Sequence, residues 1–289
     1  MVEVSKEFLL PRLDACYPPH HTGLHLEEYF IERFLSENLK SKRKLIPVHW
    51  TAVYNYKAKE GFGKDTPNGK LRNLLQEYLN SLDPTDEYFV VCTHDDAPSE
   101  KLPPNTKVFA AGGNASKIDV AIPLTCGPHT NINDKLKTIP ISFVGSVTHN
   151  IRYKLLNEIN QKPGVFINAM NWSENIAQDK IKLFKEVTET SIFSLCPRGY
   201  GATSYRLYEA MQLGAIPVYI SNKHLLPWSD ELDWKKFCVI VEEKEILGIT
   251  NRLLNFKSRI VRNMQEELMT VWKNHFSIEA SYKHIVKRV

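Results

Sequence analysis

Two arginines and a glutamate follow a short apolar run in the stretch SLCPRGYGATSYRLYEAMQLG, residues 194–214. The run predicts a buried strand that ends at Pro197, because proline cannot donate to a further rung of a sheet. Two glycines then permit a loop with positive φ angles, and Thr203 or Ser204 caps a helix. The unpaired N–H groups of a first helical turn attract anions, so the spacing predicts an anion site at this loop.

The charges around this loop differ in sign along the predicted helix. Arg198 precedes the helix, while Arg206 and Glu209 lie three residues apart on one helix face. A nucleoside diphosphate suits this arrangement, since its phosphates bind cations and its ribose hydroxyls donate to a carboxylate. A surface salt bridge between Arg206 and Glu209 would explain the same residues, and the pattern alone leaves both interpretations open.

A second strand and loop repeat the pattern in ISFVGSVTHNIRYKLL, residues 141–156. Here Gly145 ends a predicted strand, and Arg152 stands at the start of a helix. Two arginine-bearing loops at the carboxyl ends of strands in one domain could hold a diphosphate from both sides. Such a pair would stabilise the negative charge that develops on a leaving group.

The segment FSLCPRGYGATSYRLYEAMQLGAIPVYISNKHLLPWSDELDWKKFCVIV, residues 193–241, resembles the signature region of the exostosin-like glycosyltransferases. It contains a C-P-R-G loop, an S-x-R-x-x-E helix, a G-x-I-P-V strand and a D-W pair before another strand. FVGSVTHNIR is similar to an upstream element of the same family, so the resemblance covers about 139–241. It implies the GT-B fold and the inverting transfer of a sugar from a nucleotide-sugar donor to a glycan acceptor.

The resemblance also implies roles for residues of a donor site. Arg152 and Arg198 would contact the donor diphosphate. Ser204 and Arg206 would lie at its helix-side end, with Glu209 on the ribose. The residues that would line the nucleotide loop are Gly199, Tyr200 and Gly201. The donor would be a UDP-sugar and no cofactor would be required, although dependence on a divalent ion stays open.

The chain departs from many members of that family because it has no predicted membrane anchor or stem. Its N-terminal residues do not resemble a signal peptide, and no apolar run approaches the length of a membrane span. We therefore expect a cytoplasmic protein without membrane insertion. An anchorless chain of this size resembles the exostosin-like enzymes of large algal viruses, which implies a viral protein and xylose as the sugar. The alternative is a non-catalytic protein of the same fold that binds a nucleotide sugar or a glycan.

An inverting transfer needs a base that takes the proton of the acceptor hydroxyl. The first part of the chain offers His94, Asp95 and Asp96 after the apolar run YFVVCT, and His21 beside His20 in an earlier loop. We rank Asp96, Asp95 and His94 ahead of His21. Asp95 and Asp96 could instead hold a metal-bound nucleotide sugar. We favour a site without a metal, because the arginines already supply positive charge.

Aromatic side chains can stack on the apolar faces of sugar rings. Trp50 and Trp228 stand next to histidine, proline or serine at predicted strand ends. Tyr54, Tyr56 and Trp172 are further candidates, and any one of these aromatic residues is more often part of a core. We therefore favour Trp50 and Trp228 for a sugar site.

The elements that must position these residues alternate between strand and helix, which predicts an α/β fold with parallel sheets. We expect a GT-B arrangement of two Rossmann-like, doubly wound lobes that face each other across a cleft. Residues 1–130 would form an acceptor lobe and residues 139–255 a donor lobe. Residues 256–289 would form helices that could pack back on the first lobe. The carboxyl ends of both sheets would then meet at the cleft.

The composition agrees with a two-domain globular protein of 289 residues. Its net charge of +4 comes from dispersed basic residues, which argues against a nucleic-acid partner. Its five cysteines are widely spaced, so we expect them to be reduced and buried. They show no metal-binding spacing, and nothing in the sequence indicates an oligomeric state.

Overall fold

The computed structural model describes residues 6–11, 25–61, 63–114, 117–125, 129, 135–173 and 176–289. Over these residues the chain forms two α/β lobes, each built on one parallel sheet. The strands of the first sheet are β1 (Lys44–Leu45), β2 (Tyr88–Cys92), β3 (Thr106–Ala110) and β4 (Val120–Ala121). Those of the second sheet are β5 (Ile139–Ser146), β6 (Val165–Met170), β7 (Ser191–Pro197), β8 (Ile216–Ile220) and β9 (Val239–Val241). The α-helices are α1 (Leu26–Glu37), α2 (Trp50–Tyr54), α3 (Pro67–Ser81), α4 (Asn150–Ile159), α5 (Gln178–Thr190), α6 (Tyr205–Gln212), α7 (Ile249–Leu254), α8 (Ser258–Val271) and α9 (Ile278–Val286).

The first sheet has the strand order β1-β2-β3-β4 and separates two layers of helices. Side chains alternate across β2, as they must in a strand. Val90 and Cys92 pack with α2 and α3, whereas Phe89 and Val91 pack with α1. Because both faces of β2 are buried, its sequence is an unbroken apolar run.

The second sheet has the order β6-β5-β7-β8-β9, so its winding reverses between β5 and β7. Helices α4 and α7 pack on one face of this sheet, and α5 and α6 pack on the other. Open α/β sheets bind ligands in the crevice at the carboxyl ends of the strands where the winding reverses. The predicted fold class, α/β with two Rossmann-like lobes in a GT-B arrangement, is confirmed, and the reversal lies in the second lobe.

The C-terminal helices connect the two lobes through one apolar core. Tyr282 of α9 has its ring centre 5.3 Å from that of Phe30 in α1. Phe276, between α8 and α9, is buried and lies 5.9 Å from the ring centre of Tyr208 in α6. The first lobe, the C-terminal helices and the second lobe therefore contribute side chains to one buried cluster.

The apolar run KLIPVHW, residues 44–50, predicts a longer strand than the one that forms. The apolar run at 44–50 is a strand only over Lys44–Leu45, and helix α2 begins at Trp50. Pro47 explains the early end of the strand, since it cannot donate to the ladder. The apolar residues after it are buried in the core against α3 instead of extending the sheet.

The cysteines that the structure describes are Cys92, Cys196 and Cys238, and all three are unbridged and buried, as the sequence predicts. Burial raises the pKa of Cys196 to about 12, which makes its thiol unreactive. Cys16 and Cys126 lie outside the described residues.

Candidate active site

A cleft of about 150 Å³ opens at the carboxyl ends of β5 and β7, where the winding of the second sheet reverses. Its walls from the second lobe are Ser146, Thr148, Arg152, Trp172, Gly199, Tyr200, Gly201, Thr203, Ser204 and Tyr205. The first lobe contributes Thr93, Asp95 and Leu124. Both lobes therefore form the cleft, in agreement with the crevice that the sequence predicts.

The loop after β7 leads directly into α6. Ser204 caps this helix, because its Oγ accepts from the N–H of Arg206 at 3.4 Å. Of the two capping residues that the sequence allows, the structure therefore selects Ser204. Ser204 and Tyr205 line the cleft, so the first turn of α6 forms one of its walls. Such a helix end favours an anionic ligand.

Of the two glycines in this loop, Gly201 is required by close contact. Neither Gly199 nor Gly201 has a φ angle in the left-handed region, so the positive φ angles expected from the sequence do not occur at these two residues. A Cβ atom on Gly201 would lie 1.8 Å from Asp95 Oδ1 and 2.7 Å from the carbonyl oxygen of Gly112. Gly201 therefore allows the loop of the second lobe to touch the first lobe.

Arg152 is buried and binds the loop that contains Arg198. Its Nε donates to Arg198 O at 2.9 Å, its Nη1 to Ser146 O at 2.6 Å, and its Nη2 to Pro197 O at 3.0 Å. One guanidinium thus joins the loops that follow β5 and β7. The structure brings Arg152 to the cleft, and its contact with a diphosphate stays a prediction.

Arg198 lies half-buried beside the cleft, and its Nη2 donates to Tyr200 O at 2.9 Å. Its positive charge influences two neighbours. Burial, followed by the charge of Arg198, lowers the pKa of His149. The same charge opposes a rise in the pKa of Asp95. Arg198 is therefore positioned to act on anionic groups at the cleft.

Arg206 lies beneath the second sheet. Its side chain is buried, and its Nε donates to Val144 O at 2.6 Å. A Cβ atom on Gly145 would lie 1.6 Å from Arg206 Nη2, so this glycine makes room for the guanidinium. The guanidinium carbon lies 5.3 Å from the ring centre of Phe143. The structure thus places Arg206 between α6 and the sheet and outside the lining of the cleft, and its contact with a diphosphate stays a prediction.

Glu209 lies one turn into α6 and is covered by a histidine from the segment that joins the lobes. His129 Nε2 lies 3.1 Å from Glu209 Oε1, and the two side chains are 8% and 9% exposed. Glu209 does not line the cleft, whose α6 wall reaches only to Tyr205. His129 gives no sign of a role in the sequence, because it stands in a stretch rich in glycine, proline and asparagine that is typical of a linker.

Asp95 is the acidic residue that faces the cleft. It follows β2 and lies against Gly201 of the second lobe. Burial raises the pKa of Asp95 to about 7, the charge of Asp96 adds to this rise, and Arg198 opposes it. A carboxylate with a pKa near the working pH is suited to general base catalysis. The geometry therefore favours Asp95 among the predicted bases.

The other candidates have structural partners nearby. Asp96 accepts a hydrogen bond from Tyr200 OH at 3.2 Å and another from Asn114 Nδ2 at 3.2 Å. His94 Nδ1 accepts from the N–H of Asp96 at 3.1 Å, which is the turn contact that a noncatalytic histidine would make. His21 and its neighbour His20 lie outside the described residues. Asp96 therefore links the lobes through Tyr200, and His94 shapes the turn.

A buried carboxylate that the sequence did not reveal supports the floor of the cleft. Glu27 is fully buried, and its Oε2 accepts from the N–H of Thr93 at 2.7 Å. Its Oε1 accepts from the N–H of Thr51 at 2.8 Å. Glu27 thus fixes Thr93, a cleft residue, to α2. In the sequence Glu27 belongs to an amphipathic helix, where acidic residues are ordinary.

The expectation for the tryptophans is wrong. Trp50 and Trp228 are 0% and 2% exposed, so neither can stack on a sugar. Trp50 belongs to the apolar core that includes α3, and Trp228 stacks on His284 with ring centres 4.8 Å apart. The aromatic side chains of the cleft that remain open to solvent are Trp172 and Tyr200, at 52% and 61% exposure.

Among the described residues, Glu231, His275 and His284 form the group whose side chains could share a metal ion. Glu231 already accepts hydrogen bonds from Arg288 at 2.8 Å and Lys287 at 3.1 Å. None of the three residues lines the cleft. The metal-free donor site that the sequence suggests therefore stays a prediction.

Comparison with known proteins identifies the family of the chain. The model of the Exostosin GT47 domain matches residues 79–255, which is more than half of the chain. The Exostosin-1 homolog of Caenorhabditis elegans is 30% identical over 105 residues, or 36% of this chain and 28% of that protein. A probable glycosyltransferase of Arabidopsis thaliana is 25% identical over 239 residues, or 74% of this chain and 45% of that protein. The chain thus spans less than half the length of these relatives.

The crystal structure of TarM superimposes with a TM-score of 0.44 and 12% identity, covering 89% of this chain and 57% of TarM. In the described part of the chain, no helix combines the length and apolar character needed to cross a membrane. The match over residues 79–255 includes both the turn with Asp95 and the loop with Arg198. The chain belongs to the exostosin GT47 family.

Proposed function

We propose that the chain is an inverting glycosyltransferase that transfers a sugar from a UDP-sugar to a hydroxyl group of a glycan. The observation that carries this proposal is the position of Asp95. A carboxyl group of the first lobe, with its pKa raised to about 7, shares one cleft with Arg152 and the first turn of α6. A proton acceptor and an anion-binding wall thus face the same space.

In this reaction the acceptor oxygen attacks the anomeric carbon, and Asp95 takes the proton of the attacking hydroxyl. A carbon–oxygen bond forms, and the bond from the anomeric carbon to the diphosphate breaks. The diphosphate leaves with the bonding electrons. The N–H groups at the start of α6 and the charges of Arg152 and Arg198 stabilise the negative charge that it gains. Attack opposite to the leaving group inverts the anomeric carbon.

The choice of UDP as the nucleotide and of xylose as the sugar follows from the sequence resemblance. The test is calorimetric titration with UDP, followed by incubation with a panel of UDP-sugars, including UDP-xylose, and candidate glycans. Mass spectrometry should detect a glycan heavier by one sugar, and NMR should show an inverted anomeric centre. Tight UDP binding without transfer to any glycan would favour the noncatalytic alternative. A retained anomeric configuration would contradict the inverting mechanism.

Replacing Arg152 by lysine should weaken UDP binding by roughly tenfold although the positive charge is kept. One ammonium group cannot reproduce the planar fork that binds three carbonyl oxygens of two loops. The Arg198 loop should therefore lose its fixed position. Titration calorimetry measures the change in UDP affinity. Arg72 forms an ion pair with Glu100 in the first lobe, so Arg72→Lys is the matched control. Equal UDP affinity of Arg152→Lys and the unmodified chain would refute this role.

A further inference from the structure

An exposed tyrosine lies in the cleft at the contact between the lobes. Tyr200 lines the cleft from the loop between β7 and α6 and is 61% exposed. Its OH donates to Asp96 Oδ2 of the first lobe at 3.2 Å. The phenol of a second-lobe residue therefore reaches the first lobe, while much of its ring stays open to solvent.

Hydrogen bonds hold Tyr200 at both ends. Its carbonyl oxygen accepts from Arg198 Nη2 at 2.9 Å and from Asn114 Nδ2 at 3.4 Å. The same amide of Asn114 donates to Asp96 Oδ1 at 3.2 Å. The charge of Asp96 raises the pKa of Tyr200, so the phenol keeps its proton and continues to donate. The ring is therefore fixed in position, although the protein covers little of it.

The ring of Tyr200 lies on the side of the favoured base. Asp96, which binds the phenol, follows Asp95 directly in the chain. Gly201, the next residue after Tyr200, lies against Asp95, since a Cβ atom on this glycine would be 1.8 Å from Asp95 Oδ1. Arg152, which we expect to bind the diphosphate, instead contacts the backbone of the loop before Tyr200. A molecule that packs on the ring would therefore lie next to the carboxyl group that takes the proton.

The other exposed aromatic residue of the cleft, Trp172, stands farther from this carboxyl group. It follows β6, which is separated from β7 by β5 in the second sheet. Neighbouring strands lie about 4.8 Å apart, so the ends of β6 and β7 are about 10 Å apart. Asp95 contacts the loop after β7. Tyr200 is therefore the exposed aromatic residue beside the base.

We propose that the ring of Tyr200 is the platform on which the acceptor sugar packs, and that this sugar is a pyranose with an apolar face. The inference rests on the proposed function, because it takes Asp95 as the base. A pyranose whose hydroxyl groups are all equatorial directs its axial C–H groups to the two faces of the ring. Such a face packs on an aromatic side chain. The hydroxyl groups at the edge of the sugar then remain free to reach a carboxylate.

The fixed position of the ring reduces the cost of binding this sugar. A mobile aromatic side chain loses conformational freedom when a ligand packs on it, and this loss weakens binding. Tyr200 has little such freedom left, because its OH and its carbonyl oxygen are already bound. The structure thus provides a surface for the sugar that is ordered before the sugar arrives.

The test uses the glycan that accepts a sugar from the UDP-sugar in the transfer assay. Tyr200→Ala should raise the KM for this glycan by roughly three- to tenfold, the loss expected from one aromatic contact. The KM for the UDP-sugar and the Kd for UDP should not change. Tyr200→Phe keeps the ring, so its KM for the glycan should stay within about twofold of the unmodified value. Tyr153, on α4, is 57% exposed and does not line the cleft, so Tyr153→Ala is the matched control.

Saturation-transfer-difference NMR of the same glycan gives a measurement that does not depend on turnover. With the unmodified chain and UDP, the axial ring protons of the acceptor sugar should receive the strongest saturation. Tyr200→Ala should remove this preference. Uniform saturation of the sugar in the unmodified chain would contradict packing on an aromatic ring.

The kinetic constants separate this inference from the proposed function. If the glycan is a substrate but its KM is unchanged in Tyr200→Ala, the platform is refuted while the proposed function survives. A raised KM for the UDP-sugar, with an unchanged KM for the glycan, would place the donor on the ring and refute the acceptor role. If no glycan accepts a sugar, the proposed function fails, and the platform fails with it.

Discussion

Replacing Asp95 by asparagine should reduce sugar transfer by about 10²- to 10⁴-fold, the range that loss of a general base typically causes. Asparagine has nearly the same shape but cannot accept a proton from the acceptor hydroxyl. Affinity for UDP should change little, because the residues expected to bind the diphosphate lie in the second lobe. Initial rates of glycan product formation and UDP titration measure the two effects separately. Transfer by Asp95→Asn at the unmodified rate would exclude Asp95 as the base.

The pH dependence of transfer should identify the same carboxylate. Because burial raises the pKa of Asp95 to about 7, kcat/KM should increase with pH up to about 7 and then level off. The charge of Asp96 contributes to this high pKa. Asp96→Asn should therefore shift the rising limb to lower pH, while most of the activity remains. An unshifted limb in Asp96→Asn would show that another group controls the profile.

The same raised pKa has a consequence for folding. A carboxyl group whose pKa is higher in the folded than in the unfolded chain costs stability as the pH rises from its ordinary value of 3.8 to about 7. Asp95→Asn removes this cost and should increase the free energy of unfolding at pH 8, by at most about 4 kcal/mol. The gain should be smaller at pH 5, where folded Asp95 is mostly protonated. Urea unfolding at the two pH values measures the difference.

The fold follows largely from the pattern of apolar residues. The run YFVVCT becomes β2 at Tyr88–Cys92, and SIFSLCP becomes β7 at Ser191–Pro197, because a parallel strand buried on both faces must be apolar throughout. The position of the cleft follows from the loops that end β5 and β7. The strand order was not accessible from local patterns, since the reversal between β5 and β7 depends on pairing between strands distant in sequence.

The positions of site residues could be predicted from the sequence where the residue type has one evident role in such a loop. Arg152, Gly201 and Ser204 line the cleft, and Asp95 faces them from the other lobe. The positions of the remaining site residues depend on which side chains are buried. Burial cannot be predicted from a local pattern in the sequence. Arg206 packs under β5 because Gly145 leaves space for it, a contact between residues 61 positions apart in the numbering. The contact between Glu209 and His129 could not be predicted either, because no local pattern indicates that a linker histidine contacts a helix.

Gly201→Ala tests whether the contact between the lobes is needed for catalysis. The added Cβ would stand 1.8 Å from Asp95 Oδ1 and 2.7 Å from Gly112 O, both too close for a carbon and an oxygen that are not bonded. The Asp95 side chain could turn away, but the backbone oxygen of Gly112 accepts from the N–H of Ala202 at 2.8 Å and is held there. The loop must therefore withdraw from the first lobe, which separates the base from the donor.

We expect Gly201→Ala to lose transfer activity by about 100-fold, since small displacements of a base from its substrate have effects of this size. Gly199→Ala is the matched control in the same loop. Its Cβ would lie 3.3 Å from Arg152 Nη2 and 3.4 Å from Thr148 Oγ1, contacts that small side-chain movements relieve. Small-angle scattering should show a larger radius of gyration only for Gly201→Ala. Full activity in Gly201→Ala would mean that transfer does not need the contact between the lobes at Asp95. The proton acceptor would then have to be a residue outside this turn.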